Sequence, residues 1–447
     1  MNKEEILLHI MDGDVDIPKL KTSLSGMNTV DIAEILEYLE KDKFVQMFSV
    51  LPKAIASDVF ANMDSGHQQS IIEAFSDAEI SEIVNTLFVD DAVDFIEEMP
   101  AAVVKRVLQN VQTEKRKVIN QFLQYPDDSA GSIMTAEYIN LSEDMSVQEA
   151  FEAIRRTGSD KETINTCYVI SNDRMLAGEV TARTLMLSDP AEKINNVMNA
   201  APVFAQTTDD REIVAGQFKK YDLLAMPVVD KEQRLVGIIT VDDIMDVIVA
   251  EDTEDIEKMG ALKPSDDPYM KTGIFSLAKN RFLWLLVLML SATITAAIIE
   301  GYEESLALMP ILVAFIPMLM DTGGNSGCQS STLIIRGMAL GDIRLRDFLR
   351  VFWKEIRVAL LCGTALAAVN FGRIYIMNGR NVLLSVTVSL ALVCTVLVAK
   401  SVGALLPMLA KRIGIDPAMM AAPVITTIAD AASLIMYFSF AKLILGL

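Results

Sequence analysis

From Ile274 to Leu447 the chain carries five apolar runs of the roughly 20-residue length that a bilayer crossing needs. The first, Phe282–Ile299, contains no charge. The second runs from about Leu306 to Ile335 and is interrupted by Pro310, Pro317 and a glycine cluster. The third, fourth and fifth cover about Val358–Met377, Val382–Leu409 and Pro417–Leu445. The second is too long and too broken for one straight helix. Irregular backbone at membrane depth is tolerated only where protein or a water-filled cavity surrounds it, so backbone irregularities are expected at Pro317, Gly323, Gly324 and Gly327.

Basic residues orient these runs. Lys271, Lys279 and Arg281 precede the first. Arg336, Arg344, Arg346, Arg350, Lys354 and Arg357 lie between the second and third, and Lys411 and Arg412 before the fifth. Glu300–Ser305 holds no basic residue, and the link around Asn378 only Arg373 and Arg380. The alternation predicts a cytoplasmic N-terminus and an outside C-terminus. The opening MNKEEILLHI is too acidic, and too short in apolar run, for a signal peptide.

Charge divides the chain at the same place. The whole carries 39 Lys+Arg against 60 Asp+Glu. Residues 1–272 carry a net charge of −26 and residues 273–447 one of +5. A front this acidic cannot neutralise phosphates, which excludes nucleic acid as a partner. The four cysteines form no CxxC, and the histidines, His9 and His67, are too few for a His-rich metal site. No HExxH, no base–nucleophile pair and no GxxxxGK[ST] is present, which argues against an enzyme.

The front reads as two modules. Residues 1–128 show short amphipathic helices, with Ile32, Ile35, Leu36 and Leu39 at helical spacing. Pro52, Ile55, Val59, Phe60, Asn62 and Met63 are echoed 48 residues on by Pro100, Val103, Val107, Leu108, Asn110 and Val111. The repetition predicts stacked helical hairpins in a small all-α superhelix. Within it Asp91 and Asp94 lie one turn apart. Residues 129–249 alternate short strands and helices, with an echo at 59 residues: Val169, Leu176, Gly178, Val180, Thr181 and Met186 against Val228, Leu235, Gly237, Ile239, Thr240 and Met245. Each half opens on a short segment, SerIleMetThr (132–135) and AsnValMetAsn (196–199). This resembles a tandem cystathionine-β-synthase-type (CBS) pair, an α/β module. Such pairs often hold adenine nucleotides on a Gly-x-x-Thr-x-x-Asp segment. Gly237, Thr240 and Asp243 match it, whereas the first copy has Thr184 in place of the acid. The resemblance therefore places ATP, where a nucleotide binds, on the second copy; a pair without nucleotide stays open.

Residues 250–273 continue as a long acidic connecting helix and linker. The acidic run starts at Asp242, just before it; Asp243, Asp246 and Glu254 recur at roughly helical spacing, and crowded carboxylates favour a cation between them. A solvated helix face is the plain alternative, here and at Asp91 and Asp94.

Inside the membrane segment, residues 274–447, two places are polar where polarity is expensive. Residues 317–332 supply Asp321, Asn325 and Gln329 among glycines. Residues 416–430 lead to Asp430, with Thr426, Thr427 and Ser433 on the same helical face. Carboxylate, amide and hydroxyl oxygens are hard ligands, suited to Mg2+, Ca2+ or Mn2+. Mg2+ dehydrates reluctantly, so one carboxylate with several waters would select it.

With these motifs in place, the assembly resembles the MgtE family of magnesium channels and transporters over nearly the whole chain. ThrGlyGlyAsnSerGlyCysGln (322–329) and AspProAla…Pro…ThrThrIleAlaAsp (416–430) carry the resemblance most specifically. It implies a five-helix transmembrane domain and a homodimer with a pore on its two-fold axis. It implies that Asp430 faces hydrated Mg2+, with Gly323, Gly324 and Asn325 near it. It further implies regulation by cytoplasmic Mg2+ at Asp91, Asp94, Asp246, Glu251, Glu254, Asp255 and Asp416. Glu179, where a strand apolar residue is usual, and Cys328 depart from the pattern. The competing readings are a broader divalent carrier passing Mn2+, Co2+ or Ca2+, and a membrane-anchored nucleotide sensor that transports nothing.

Overall fold

A computed structural model describes residue 24 and residues 26–265, 269–270, 272–420 and 422–447. His9, the acidic pair of residues 266–267, Pro268 and Lys271 fall outside the described residues. The chain divides into two compact units, Met1–Ile248 and Val249–Leu447.

Among the described residues, the first part of the first unit holds eight short helices: α1 (Thr29–Glu37), α2 (Lys41–Ser49), α3 (Lys53–Ala61), α4 (Ser65–Ala74), α5 (Asp77–Thr86), α6 (Val89–Glu97), α7 (Ala101–Asn110) and α8 (Thr113–Phe122). Their starts are written in the sequence. Asn28 accepts from the Val30 amide, Asp64 caps α4, and Ser76 with Glu79 forms a capping box on α5. The two echoed prolines, Pro52 and Pro100, each stand immediately before a helix, α3 and α7. One face of each helix feeds a continuous core through Ile32, Leu36, Phe44, Phe60, Val84, Val93 and Val107, all essentially buried. Each helix is too short to persist alone in water, so the stack holds through this shared core.

The second part of the unit contains β1 (Asn140–Ser142), α9 (Val147–Thr157), β2 (Thr166–Ile170), β3 (Leu176–Thr181), α10 (Ala182–Leu187), α11 (Ile194–Val197), β4 (Ala205–Gln206), α12 (Arg211–Tyr221), β5 (Ala225–Val229) and β6 (Leu235–Thr240). They make two three-stranded sheets of identical plan. In each, a parallel pair is followed by an antiparallel hairpin: β1–β2–β3 and β4–β5–β6. The echo at 59 residues reaches into the hairpin turns, where Arg174 (φ 62°) and Gln233 (φ 64°) both take the left-handed conformation.

The two opening segments exchange sheets. Thr135 of the first pairs with Ile238 in β6, and Asn199 of the second pairs with Glu179 in β3. This close approach explains the echoed glycines. A Cβ on Gly237 would lie 2.7 Å from the Met134 sulfur, and one on Gly178 2.7 Å from the Asn199 carbonyl oxygen. It also explains Glu179 in a strand, since its carboxylate accepts from Asn199 Nδ2 at 3.0 Å.

A single helix, α13 (Val241–Met259), contains the boundary between the units. The acidic stretch is thus helical from 241 to 259, and residues 260–265 are not. The second unit holds α14 (Ile274–Glu300), α15 (Glu303–Leu308), a 3-10 turn (Pro310–Phe315), α16 (Ile316–Ala339), α17 (Phe348–Met377), α18 (Val382–Arg412) and α19 (Ala422–Leu445), with a second 3-10 turn at Pro417–Met420. Among the described residues, four helical stretches are long and apolar enough to cross a membrane: Ile274–Glu300, Leu345–Met377, Val382–Arg412 and Pro417–Leu445. The remaining long helix, α16, has 24 residues, about 36 Å of rise. Its polar strip is what keeps it out of that group.

The expectation of irregular backbone along 317–332 is corrected here. Pro317 sits in the first turn of α16, and the helix then runs unbroken through Gly323, Gly324 and Gly327. The glycines serve packing. A Cβ on Gly323 would meet Ser433 and Thr395 at 3.0 Å, and one on Gly324 would meet the Thr426 methyl at 3.0 Å. A Cβ on Gly327 would meet Ile425 at 2.5 Å, and one on Gly403 would strike the Gly327 carbonyl. Small residues thus let α16 lie backbone-close to α18 and α19. Tyr437 fastens the far end, its hydroxyl donating to the Leu312 carbonyl at 2.9 Å.

Candidate cation sites

Three acidic places emerge, one in the first unit and two in the second.

The first lies between the helical stack and the sheets. Helix α6 is buried through Val89, Ala92, Val93, Phe95 and Ile96. That face fixes Asp90, Asp91 and Asp94 on the other side. Glu162, from the loop before β2, and Asp243, at the start of α13, bring their charges to the same place. Two oxygens there, Asp90 Oδ1 and Glu162 Oε2, are buried without a hydrogen-bond partner. Burial, then the neighbouring acids, pushes Asp90 well above the ordinary carboxylate range. Burial and the charge of Asp243 raise Asp91 to about 6. Burial and the charges of Glu97 and Asp91 raise Asp94 to about 7, although its outer edge stays open to solvent. Glu162 reaches about 7 by burial and the charge of Asp243. Asp243 is raised as well, chiefly by burial. The cation at hand is Lys115, which donates to the carbonyls of Leu87 and Asn85, and burial lowers its own pKa.

Asp243 also bonds Thr240, whose hydroxyl donates to Oδ2 at 2.6 Å. In the first copy Thr181 and Thr184 make the matching contact at 2.9 Å without an acid. Thr240 and Asp243 therefore stand together at the head of α13, while Gly237 is accounted for by the exchanged segment.

The second place is at the end of α13. Lys258 Nζ lies 2.6 Å from Glu254 Oε1 and 2.7 Å from Asp416 Oδ2. Burial works against the ammonium, but the hydrogen bonds it donates to Asp416 and Glu254 outweigh it and hold its pKa up. Asp416 Oδ1 also accepts from the Ala418 amide at 2.8 Å, capping the turn before α19. Asp255 is raised by burial and by the charge of Asp416. Arg336 at the end of α16 pairs with Asp252 at 2.8 Å. Of the sequence candidates, Glu254, Asp255 and Asp416 meet here. Asp246 stands on an exposed face of α13 in the first unit, and Glu251 lies one turn before Asp255.

The third place is within the apolar helices. Asp321, Asn325 and Gln329 fall at i, i+4 and i+8 on an open face of α16, opposite the buried face of Gly323, Gly324, Ser326 and Gly327. Asn325 Nδ2 donates to Asp321 Oδ1 at 3.1 Å. Asp430 on α19 is half-buried and near enough to Asp321 for the two charges to interact. Thr426 and Thr427 both donate to the Pro423 carbonyl at 3.0 Å, and Ser433 to Ala429, while Thr427 Oγ1 also lies 3.3 Å from Ser291 Oγ on α14. Two carboxylates and two amides on an open surface form a hard, oxygen-rich half-site.

Sequence reading passed over several members. Asp90 and Glu162 carried no motif. Lys258 carried no motif either, with nothing in the sequence to announce Asp416. Lys400, buried in α18, lies 3.4 Å from Ser330 Oγ, which donates to Glu355 Oε2 at 2.6 Å. This network draws one residue from each of three long helices.

Known proteins match this architecture throughout. The family model described as the MgtE intracellular N domain matches residues 27–128, that of the CBS domain residues 130–189 and 194–250, and one described as a divalent cation transporter residues 316–440. The magnesium transporter MgtE of Thermus thermophilus is 36% identical over 433 residues, 96% of each chain. The chain belongs to the MgtE family. The Bacillus subtilis magnesium transporter MgtE is 29% identical, covering 99% of this chain and 98% of its own length. Among solved structures, the cytosolic domain of the Mg2+ channel MgtE in complex with ATP aligns at TM-score 0.52 and 30% identity, over 55% of this chain and all of that one. The soluble part of a magnesium transporter aligns at TM-score 0.53 and 24% identity, over 56% of this chain and 99% of that one, and supports the fold. Like its MgtE relatives, this chain is a multi-pass membrane protein.

Proposed function

We propose that this MgtE-family chain carries Mg2+ across the plasma membrane as a homodimeric channel and is closed by cytoplasmic Mg2+. The observation that carries the conduction half is the strip Asp321–Asn325–Gln329 with Asp430 beside it. It is open on one side of a single protomer, so a second copy across a two-fold axis would complete an oxygen-lined path. A hydrated Mg2+ suits such a path, because outer-shell recognition by carboxylate and amide needs no dehydration. The inside-negative potential supplies about 2.3 kcal/mol per charge per 100 mV, and the ion carries two. Uptake then requires no chemistry from the protein. The distribution of basic loops supports an N-terminus in the cytoplasm and a C-terminus outside.

The regulatory half rests on the first acidic place. Carboxylates raised by shared burial and by one another's charge stay compact only with protons or cations among them. A divalent ion there would bind Asp90, Asp91, Asp94, Glu162 and Asp243, and α13 carries the consequence past the unit boundary. The solved relative in complex with ATP supports a nucleotide at Thr240 and Asp243: with Thr240 on one carboxylate oxygen, the other can accept from ribose hydroxyls when it is not engaged by an ion. The hard ligand set would also admit Mn2+, Co2+ or Ca2+, and competition by each against Mg2+ flux measures that breadth.

The test is Asp430→Ala in proteoliposomes. Mg2+ influx should fall at least about tenfold, a loss of about 1.4 kcal/mol or more, while the dimer assembles as before. Undiminished influx would remove Asp430 from the path.

A further inference from the structure

A cavity of about 750 Å3 lies within the second unit, between the segment that follows α13 and the first turns of α14. Its wall is apolar: Phe282, Leu283 and Trp284 from α14, and Met419 from the turn before α19. Lys263 and Lys279 stand at it too. The backbone holds the two sides together, the Lys263 amide donating to the Asn280 carbonyl at 3.3 Å. Lys279, Phe282 and Leu283 follow at i, i+3 and i+4, so one helical face presents a cation and then a greasy surface. Neither Lys263 nor Lys279 has a carboxylate partner among the described residues, whereas Lys258, which also borders the cavity, is held by Glu254 and Asp416.

We propose that this cavity binds an anionic phospholipid of the cytoplasmic leaflet, its phosphate on Lys263 and Lys279 and an acyl chain along Phe282, Leu283 and Trp284. Position, charge and lining agree on that occupant. The site is at the end of α14 where its apolar run begins, the depth at which headgroups sit and tryptophan is enriched. Basic pockets at the cytoplasmic ends of membrane helices take acidic headgroups. Free phosphate would satisfy the lysines but leave the apolar wall unused. The volume falls in the range of small-molecule sites. Seated there, the lipid adjoins Lys258 and Met419, and so touches both sides of the Lys258–Asp416 contact. The assignment rests on the cytoplasmic orientation of this end and not on Mg2+ conduction.

The chain has two tryptophans, Trp284 and Trp353. In full-length Trp353→Phe protein the fluorescence reports on Trp284 alone. Reconstituted into phosphatidylcholine vesicles, it should be quenched about twofold more by brominated-chain phosphatidylglycerol than by the same fraction of brominated-chain phosphatidylcholine. Lys263→Gln with Lys279→Gln should erase that preference while Mg2+ influx persists. The preference should survive excess inorganic phosphate. Equal quenching by both lipids, loss of the preference to inorganic phosphate, or no quenching by either because a second copy covers the cavity would each overturn the lipid site. A preference retained in the Lys263→Gln, Lys279→Gln protein would overturn it as well, whereas undiminished influx in Asp430→Ala protein would count against the conduction reading and leave the lipid site standing.

Discussion

Two acidic places on this molecule solve the same problem in opposite ways. Around α6, Asp90, Asp91, Asp94, Glu162 and Asp243 share a partly buried volume, and the pKa values of all five rise. Lys115 is near, but it spends its protons on the Leu87 and Asn85 carbonyls. At the end of α13, Glu254 and Asp416 have an ammonium bonded to both. Among the described residues no ammonium bonds the carboxylates of the first place; the second has one bonded to two of its acids. Counting acids would have ranked them alike. What separates them is whether a lysine can reach the carboxylates themselves.

The largest effect should come from removing the first place's need. Asp90→Asn, Asp91→Asn and Glu162→Gln together should make protease resistance of the front half independent of Mg2+, where the unaltered protein should differ at least about tenfold between chelator and millimolar Mg2+. A remaining tenfold dependence would move the sensor elsewhere. Acidity should mimic the ion. Ordinary carboxylates titrate near 4, while Asp91 is raised to about 6 and Asp94 and Glu162 to about 7. Groups raised on folding favour the compact state below their unfolded values and withdraw that support as pH climbs from about 4 through 7. Without divalent ions, protection should therefore be strong near pH 5 and weak near pH 8. The Mg2+ needed to restore it should fall with rising pH, by up to about tenfold per unit for each proton displaced. A flat pH profile would contradict the shared-burial account. The smallest change should follow Lys258→Met. It leaves Glu254 and Asp416 facing each other, so the variant should lose about 1–3 kcal/mol in chelator and regain part of it in Mg2+. Thermal unfolding of the purified protein, with and without Mg2+, reads this directly. A variant indifferent to Mg2+ would show that this place cannot be converted into the other kind.

Much of the architecture was legible because it rests on local rules. Proline starts, capping boxes and apolar spacing mark α1 to α8, and the 59-residue echo delivers two sheets of one plan. Asp321, Asn325 and Asp430 stood out because polarity inside a long apolar run is conspicuous. The glycines of 322–329 misled for a physical reason. A glycine that permits unusual backbone and one that permits close packing look the same in a sequence, and only Gly403, Ile425 and Thr426 across the bundle distinguish them. Asp90, Glu162 and Lys258 were silent because their partners come from distant stretches: Asp416 lies 158 residues from Lys258. Lys400 hid for a related reason. One lysine in an apolar run reads as a snorkelling surface residue until Ser330 and Glu355 are seen against it.

The exchanged opening segments bear on how such a chain could change over evolutionary time. Each copy in the duplicated module completes its neighbour's sheet, Thr135 against Ile238 and Asn199 against Glu179. Losing either copy would strip the outer edge of the survivor and expose unpaired backbone, an invitation to aggregation. Duplication here works as a ratchet: once the halves had traded opening segments, drift could remodel their binding surfaces but could no longer return the module to a single copy.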